Sequence, residues 1–401
     1  GVAEKVCAAA LVFIMFYGGF NTKWQSAKCV AVRATILSTL GVLVTAGLTG
    51  VFCYFVLHFS YVESFLIGAV LSSTDAASVF SILRGKHLNL RDGTASLLEI
   101  ESGSNDPMSY LLTMIGISLL GNADTGNIPL MIFMQLALGI LVGVVVALIG
   151  IVLLTKTNFI PEGLETIFVI AIVIFSFGLA ELIGGNSYLS VYLLGILLGN
   201  SRIRNKNILI PFFDGVTGLA QILIFFLLGL LAFPHRMPDI MVPALLIALF
   251  LTFVARPIAV FGILLPFRCS IRQCLLVSWA GLRGAASIVF AIMVIAGGGD
   301  ISLDLFHIVF MVALLSVAFQ GTLIPKVAEK LDMVDNSADV SKTFNDYQEE
   351  SAMTLMRMYI PKGHNWENHK ICEVSIPTGA LALMIKRDGD TMIPNGDTRI
   401  L

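Results

Sequence analysis

Apolar stretches long enough to cross a lipid bilayer recur along the first 325 residues, with short polar breaks between them. A membrane-spanning helix needs about 20 consecutive, mostly apolar residues. The pattern predicts eleven spans, of which the first and the seventh are short. They cover residues 2–20, 34–57, 64–84, 94–120, 129–154, 166–184, 187–200, 215–233, 240–266, 273–297 and 304–325. The sequence therefore predicts an all-α polytopic membrane protein.

The charges in the loops between these spans predict their orientation, because Lys and Arg are enriched in cytoplasmic loops. One set of alternate loops contains twelve Lys and Arg residues, whereas the opposite set contains Arg236 alone. The loop at 84–93 and everything after Pro325 are therefore predicted to lie in the cytoplasm. If a span had been missed, the Lys and Arg residues would fall on both sides of the membrane. Their concentration on one side therefore also supports the count of eleven spans.

Two of the predicted spans are interrupted near their middle. The third contains Ser72-Ser73-Thr74-Asp75, whose side chains compete for backbone hydrogen bonds and favour helix starts. We expect Asp75 or Thr74 to cap the second half of a broken helix. The tenth contains Gly281-Leu282-Arg283-Gly284 and runs in the opposite direction. Spans two to four and nine to eleven thus form two units of inverted topology, and such paired interruptions indicate the binding site of a secondary transporter.

The fourth predicted span carries polar residues at its centre: Glu101, Ser102, Asn105, Asp106 and Pro107. A charged group near the middle of a bilayer costs about 2.5 to 3.5 kcal/mol even on lenient insertion scales, so it needs a partner or a function. In a helix Ser102 stacks on Asp106, and Glu101 stacks on Asn105 along the neighbouring stripe. Pro107 lacks an N–H group, which frees a carbonyl one turn earlier.

Five charged residues are predicted to share one layer of the membrane. At a rise of about 1.5 Å per residue they lie roughly 10 to 18 Å from the cytoplasmic ends of their spans. They are Asp75, Glu101, Asp106, Arg256 and Arg283. With all five ionised, the layer carries a net charge of -1, which one monovalent cation or one proton neutralises. The charge balance predicts electroneutral exchange of the two.

The composition agrees with a membrane protein. Hydrophobic residues make up 57% of the chain and charged residues only 13%, and the mean hydropathy is +0.88. Soluble domains are nearer a quarter charged. The net charge of -2 gives no indication of nucleic acid as a partner. The six cysteines show neither metal-ligand nor disulfide spacing.

The composition changes after Pro325. Residues 1–330 are predicted to form the transmembrane domain, and 331–350, which are polar and acidic, a linker or connecting helix. Residues 351–401 alternate short strands with turn signals at 361–363, 377–379, 388–390 and 394–397, which predicts part of a small β-rich domain in the cytoplasm. The chain begins at Gly1 and stops within an apparent strand, so we expect both ends to be cut.

Three motifs together carry a family resemblance: Thr74-Asp75, the SGSNDP run at 102–107 and GLRGA at 281–285. Over nearly its whole length the sequence resembles the bacterial sodium or potassium/proton antiporters of the cation/proton antiporter superfamily. The tail is similar to the C-terminal half of potassium-conductance regulator domains, a combination typical of the cell-volume-regulation potassium/proton antiporters. Its motifs are Trp366, Ile376-Pro377-Thr378-Gly379, Ile385-Lys386-Arg387 and Pro394-Asn395-Gly396-Asp397-Thr398.

The resemblance implies an inverted-repeat fold of thirteen helices, so two spans are expected to be missing before the eleven seen here. It also implies a homodimer in the bacterial inner membrane, in which a six-helix core moves against a dimerisation domain. The transported ions are then H⁺ and either K⁺, which the regulator-like tail favours, or Na⁺. No cofactor is implied. A nucleotide or another small molecule is left open as a ligand of the tail.

The resemblance assigns Asp106 as the carboxylate that binds the cation and the proton alternately. Ser102, Thr74 and Asp75 are expected to supply further oxygen atoms, which suit a hard cation. Asn105 stands where electrogenic relatives have a second Asp, so its neutral side chain agrees with the charge balance. Asp75 has an alternative interpretation as a cap for the half-helix.

The resemblance also implies that Glu101 is held by an arginine from span nine or ten. Arg256 is favoured for this ion pair, with Arg283 near the second helix break, but the sequence does not decide between them. Structural pairing is the preferred interpretation for all three residues, with direct ion contact as the alternative.

Three other classes of membrane protein were weighed. A ligand-gated potassium efflux channel with a regulator domain is the main alternative, although the chain lacks a TVGYG-type filter. An intramembrane aspartyl protease is suggested by Gly297-Gly298-Gly299-Asp300, but this string falls in an outer loop and its partner Tyr-Asp motif is absent. Glutathione-gated efflux systems carry a dinucleotide fold, and no GxGxxG occurs here.

Overall fold

The computed structural model of the chain contains two compact units, Gly1–Gln348 and Glu349–Leu401. The structure describes residues 2–22, 30–84, 86, 88–120, 128–155, 161, 163–203, 205–296, 303–335, 366, 369–374, 385–387, 390–392 and 394–399.

The described residues of the first unit are almost entirely helical. In chain order the helices are α1 (Val2–Asn21), α2 (Ala31–Val56), α3 (Tyr61–Leu71), α4 (Ala76–Arg84), α5 (Thr94–Leu120), α6 (Ile128–Thr155), α7 (Glu165–Leu182), α8 (Ser187–Gly199), α9 (Lys206–Leu231), α10 (Met237–Phe267), α11 (Ile271–Trp279), α12 (Ala285–Ala296) and α13 (Leu305–Lys330).

Seven of the helices in this part of the chain are long and apolar enough to cross a membrane, namely α1, α2, α6, α7, α9, α10 and α13. The fourth predicted span is α5, which has 27 residues and more polar positions, and the seventh is the 13-residue α8. The total of eleven spans therefore stays a prediction. The largest difference in a boundary is at α9, which begins at Lys206 rather than at 215, because Lys206, Asn207 and Asp214 interrupt the apolar run in its first turns.

The predicted interruptions of the third and tenth spans are confirmed. The third span consists of α3 and α4, which are separated by four residues, and the tenth consists of α11 and α12. The series α2 to α5 and α10 to α13 thus share one order, in which a divided helix lies between two longer ones. In contrast, α5 continues as a single helix through Pro107.

Among the described helices, three contain a π-helical turn, at Leu37–Gly41 in α2, Leu251–Ala255 in α10 and Ser316–Gly321 in α13. Such turns are rare and occur often at functional sites. The turn in α10 ends directly before Arg256. The turn in α13 contacts the end of α11, because the indole N–H of Trp279 donates to the backbone carbonyl of Gln320 at 3.1 Å.

The helices α1, α8 and α9 pack together through large apolar side chains. The ring of Phe16 in α1 lies 4.9 Å from the ring of Phe213 in α9, and both side chains are fully buried. Gly19 lies so close to the backbone of Tyr192 in α8 that a side chain there would overlap it. These contacts hold α1, α8 and α9 close together.

At the end of the unit where α4 stops and α5 starts, strand β1 (Asn89–Leu90) pairs with β2 (Val334–Asp335) in antiparallel fashion. Asp332 also accepts hydrogen bonds from Arg91 at 3.2 Å and Arg272 at 3.3 Å. The start of the predicted linker is therefore bound to the loop after α4. The rest of that linker, 336–350, lies outside the described residues.

In the second unit, the described residues form the antiparallel strands β3 (Ile385–Arg387) and β4 (Asp390–Met392) and a bridge between Lys370 and Arg399. The backbone N–H of Thr398 donates to the carbonyl of Asn395 at 3.0 Å, which forms the turn predicted there. The predicted turns at 361–363 and 377–379, like the 297–300 string, lie outside the described residues. A complete β-rich domain stays a prediction.

Candidate functional site

The two helix interruptions meet inside the first unit and are joined through their backbones. The N–H group of Asp75 donates to the carbonyl of Leu282 at 2.8 Å. The carboxylate of Asp75 accepts hydrogen bonds from the backbone N–H and the hydroxyl of Ser78 at 3.1 and 2.6 Å. Because the first N–H groups of a helix lack partners within it, Asp75 caps α4 as predicted.

Arg283, from the second interruption, completes the end of α3. Its Nη1 atom donates to the carbonyl oxygens of Ser72 at 3.0 Å and Ser73 at 2.8 Å. The last carbonyls of a helix lack intrahelical partners, and a cation is favoured next to them. The buried guanidinium therefore satisfies two orphan acceptors. Arg283 binds the first interruption rather than an acidic side chain, a role that the sequence did not indicate.

The two glycines of the GLRG motif are required by close approach. A Cβ atom at Gly284 would lie 2.5 Å from Cγ of Asp75, and one at Gly281 would lie 2.7 Å from Nε of Arg256. Both distances are far shorter than van der Waals contact. The motif therefore allows Asp75 and Arg256 to approach the second interruption.

Asp106 projects from α5 toward the first interruption and is 6% exposed. The hydroxyl of Ser73 donates a hydrogen bond to its Oδ1 atom. Ser102, one turn earlier on the same helix, donates from its hydroxyl to the carbonyl of Thr74 at 2.7 Å. The carboxylate thus lies directly beside the unwound segment, where hydroxyl and carbonyl oxygens are concentrated.

A cavity of about 350 Å³ extends from Asp106 to one end of the helix bundle. Its lining includes Gly284 of the second interruption and oxygen-bearing side chains from the first interruption and from four helices, α1, α4, α5 and α9: Asn21, Ser73, Thr74, Asp75, Ser81, Glu99, Ser102, Asp106, Asp214, Thr217 and Gln221. Carboxylate, carbonyl and hydroxyl oxygens are ligands that suit hard cations. The cavity reaches Asn21 at the end of α1 and Ser81 near the end of α4, which is the end predicted to face the cytoplasm.

Glu101 lies on the neighbouring stripe of α5 and forms the ion pair that was favoured from the sequence. Nη1 and Nη2 of Arg256 donate to its two oxygens at 2.9 and 2.8 Å. The amide of Asn105 donates to Oε1 of Glu101 at 3.2 Å and to the hydroxyl of Thr74 at 2.5 Å. The group is buried, and its hydrogen bonds connect α5 to α10 and to the first interruption.

The structure brings all eight residues chosen from the sequence to one region. Arg283 binds backbone carbonyls of the first interruption, and the other seven fall into two groups. Asp106, Ser102 and Asp75 line the cavity, whereas Glu101, Asn105 and Arg256 form the buried ion-pair group. Thr74 belongs to both, since its side chain faces Asn105 and its carbonyl faces Ser102.

One residue that contacts Asp106 was missed. Ser73, rather than Thr74, supplies the hydroxyl that binds the carboxylate. The Ser72-Ser73-Thr74 run pointed to this segment, but in an unwound backbone no periodicity tells which hydroxyl turns toward α5.

Comparison with known proteins agrees with this architecture. The family model for the transmembrane part of the sodium/hydrogen exchanger matches residues 2–330. The chain belongs to the sodium/hydrogen exchanger family. The match covers both interruptions and α5, so every candidate site residue of this exchanger lies within it.

Two curated relatives of this exchanger are bacterial proteins named as K(+)/H(+) antiporters. NhaP2 of Shewanella sp. (strain MR-4) is 34% identical over 406 residues, which cover 99% of this chain and 70% of that protein. NhaP of Alkalimonas amylolytica is 33% identical over 403 residues, with coverage of 98% and 69%. The similarity to both extends beyond the transmembrane part into the tail.

A solved structure with the same fold is that of the sodium proton antiporter MjNhaP1 from Methanocaldococcus jannaschii at pH 8. It aligns with a TM-score of 0.73 and 25% sequence identity, and the alignment covers 82% of this chain and 86% of that one. The arrangement of helices around the two interruptions is therefore that of a known antiporter fold.

Proposed function

We propose that the protein exchanges a monovalent cation for H⁺ across the bacterial inner membrane and that both ions bind Asp106 in turn. The observation that carries this proposal is a buried carboxylate beside the junction of two unwound helices, in a cavity whose lining includes eleven oxygen-bearing side chains. An isolated buried carboxylate needs either a proton or a cation to neutralise it. The two ions therefore compete for one site, which couples their movements.

Potassium is the preferred cation in this proposal. The curated relatives with 33 to 34% identity are named as K(+)/H(+) antiporters, whereas the structural neighbour with 25% identity is named as a sodium proton antiporter. The K(+)/H(+) antiporters are favoured because their sequence identity to this chain is higher and because their alignments include the tail. Na⁺ is the second candidate.

One-for-one, electroneutral exchange follows from the charges around the junction. Glu101 and Arg256 cancel each other, and Arg283 is balanced by Asp75, which faces the same interruption. The negative charge of Asp106 is then left to be neutralised by one transported ion at a time. The neutral Asn105 adds no second charge to this balance.

Alternating access is part of the proposal. The cavity joins Asp106 to the end of the bundle that the loop charges assign to the cytoplasm, which corresponds to an inward-facing state. In the outward-facing state, the junction of the divided helices is expected to move relative to α1, α8 and α9. A homodimer and a cytoplasmic tail that regulates transport in response to a nucleotide or another small molecule complete the proposal, and both rest on the resemblance.

The deciding experiment measures proton movement with a pH-sensitive dye in proteoliposomes after addition of K⁺, Na⁺ or Li⁺. Wild type is expected to respond most strongly to K⁺, and Asp106→Asn to respond to none of them. Asp239→Asn, which alters an exposed acid at the start of α10, is the matched control and should behave as wild type. Cation-driven proton movement in Asp106→Asn would refute the assignment. Cation flux without coupled proton movement in wild type would instead favour the channel alternative.

A further inference from the structure

Gln320 lies in the π-helical turn of α13, 6% exposed and outside the lining of the large cavity. Both ends of its amide are engaged. Its Nε2 atom donates to the carbonyl of Trp279, the last residue of α11, at 2.6 Å. Its Oε1 atom accepts from the hydroxyl of Ser316 at 2.9 Å. The amide therefore joins the end of a divided helix to a hydroxyl one turn earlier on α13.

Hydrogen bonds continue from Ser316 to the ion site. The Ser316 hydroxyl accepts from the backbone N–H of Arg283 at 3.1 Å. The guanidinium of Arg283 binds the carbonyl oxygens of Ser72 and Ser73, and the Ser73 hydroxyl binds Asp106. A continuous buried chain thus runs from Gln320 to the carboxylate.

A small cavity adjoins this chain. It measures about 10 Å³, and its lining includes Thr252, Arg283, Ser316 and Gln320. A void of this size is near the lower limit for one water molecule. Because close-packed interiors transmit displacement, loss of a hydrogen bond at Gln320 or Ser316 is expected to shift Arg283 and the first interruption.

We propose that Gln320 and Ser316 are positioning residues that set the cation affinity of the site by holding Arg283 against the first interruption. This inference deepens the proposed function and rests on it. A cation needs several oxygen atoms at fixed positions, whereas a proton needs only one oxygen of Asp106. Displacement of Ser72 and Ser73 therefore weakens cation binding more than it weakens protonation.

The test compares Gln320→Met, which keeps the side-chain volume but removes both hydrogen bonds, and Ser316→Ala with wild type. Both are expected to raise the half-saturating cation concentration about three- to tenfold, the cost of one or two net hydrogen bonds, with little change in maximal rate. Since the proton then competes better, the pH at which exchange is fastest should move upward. Ser316→Thr, which keeps the hydroxyl, should restore wild-type values.

Thr322→Ala is the matched control, because this exposed hydroxyl donates to carbonyls of its own helix, at 2.7 and 3.1 Å, and takes no part in the chain to Asp106. The double variant Gln320→Met/Ser316→Ala should have the same half-saturating cation concentration as the weaker-binding single variant, because both substitutions act through one chain of hydrogen bonds.

Unchanged half-saturation and pH profile in folded Gln320→Met and Ser316→Ala protein would overturn the inference, as would a loss of maximal rate alone. Melting temperature and elution on size exclusion establish that each variant is folded. The proposed function is tested separately, because it fails only if wild type shows no coupled exchange or if Asp106→Asn retains it.

Discussion

Arg256 binds both carboxylate oxygens of Glu101, at 2.9 and 2.8 Å, and the two side chains are only 3% and 1% exposed. The pair joins helices whose contact residues are 155 positions apart in the chain. Two parallel hydrogen bonds between ions are among the strongest polar contacts in proteins. In an apolar interior, however, each charge depends on the other, because desolvation of an unpaired ion is costly.

Arg256→Met should therefore destabilise the protein strongly, by about 3 to 5 kcal/mol, because it leaves Glu101 charged and unpaired. The measurement is thermal unfolding of the purified protein in detergent. Glu101→Gln/Arg256→Met removes both charges and should recover most of the loss. Arg272→Met breaks an exposed pair with Asp332 and should cost less than about 1 kcal/mol. Equal losses of stability in Arg256→Met and Arg272→Met would contradict the conclusion that the buried pair contributes more than the exposed one.

Asn105→Asp should make exchange sensitive to membrane voltage or abolish it. The substitution exchanges an amide donor for a carboxylate that faces Glu101 across 3.2 Å, and it adds a second acid beside Asp106. Transport current is recorded from proteoliposomes on a solid-supported membrane after a step in K⁺ concentration, because electroneutral exchange moves no net charge. Asn105→Ser, which adds no charge, is the control. Unaltered, voltage-independent exchange in Asn105→Asp would contradict the charge balance.

Gly284→Ala should abolish transport, because the added Cβ overlaps the carboxyl group of Asp75 and forces the two interruptions apart. Gly262→Ala is a suitable control, since nothing lies within 4 Å of a Cβ at that helical position. Both variants are assayed for cation-driven proton movement at matched protein levels. Equal activity of the two would show that the junction tolerates separation.

Two substitutions of Asp75 separate its role as a helix cap from its role as a cation ligand. Asp75→Asn keeps an oxygen for the N–H group of Ser78 and should preserve stability, whereas Asp75→Ala should lose about 0.5 to 2 kcal/mol. If Asp75 also binds the cation, Asp75→Asn should raise the half-saturating cation concentration. Thermal unfolding and transport titrations are measured on the same preparations. A normal titration for Asp75→Asn would restrict this residue to the capping role.

Much of the fold was accessible from local patterns. Apolar length located the helices, and the Ser72 to Asp75 and Gly281 to Gly284 runs located the interruptions, because such residues weaken a helix wherever they occur. The choice of Arg256 for Glu101 also agreed with the structure. The role of Arg283 was not accessible, since its acceptors are backbone carbonyls of another helix and leave no trace in side-chain chemistry.

The sequence by itself determined that the chain is a helical membrane protein with two paired interruptions and a central acid at position 106, because bilayer burial restricts which residues a span tolerates. Only the tertiary structure decided which hydroxyl contacts Asp106, which charges pair, and that Gln320 is connected to the site. These contacts depend on how unwound segments from distant parts of the chain cross, and local spacing carries no information about that crossing.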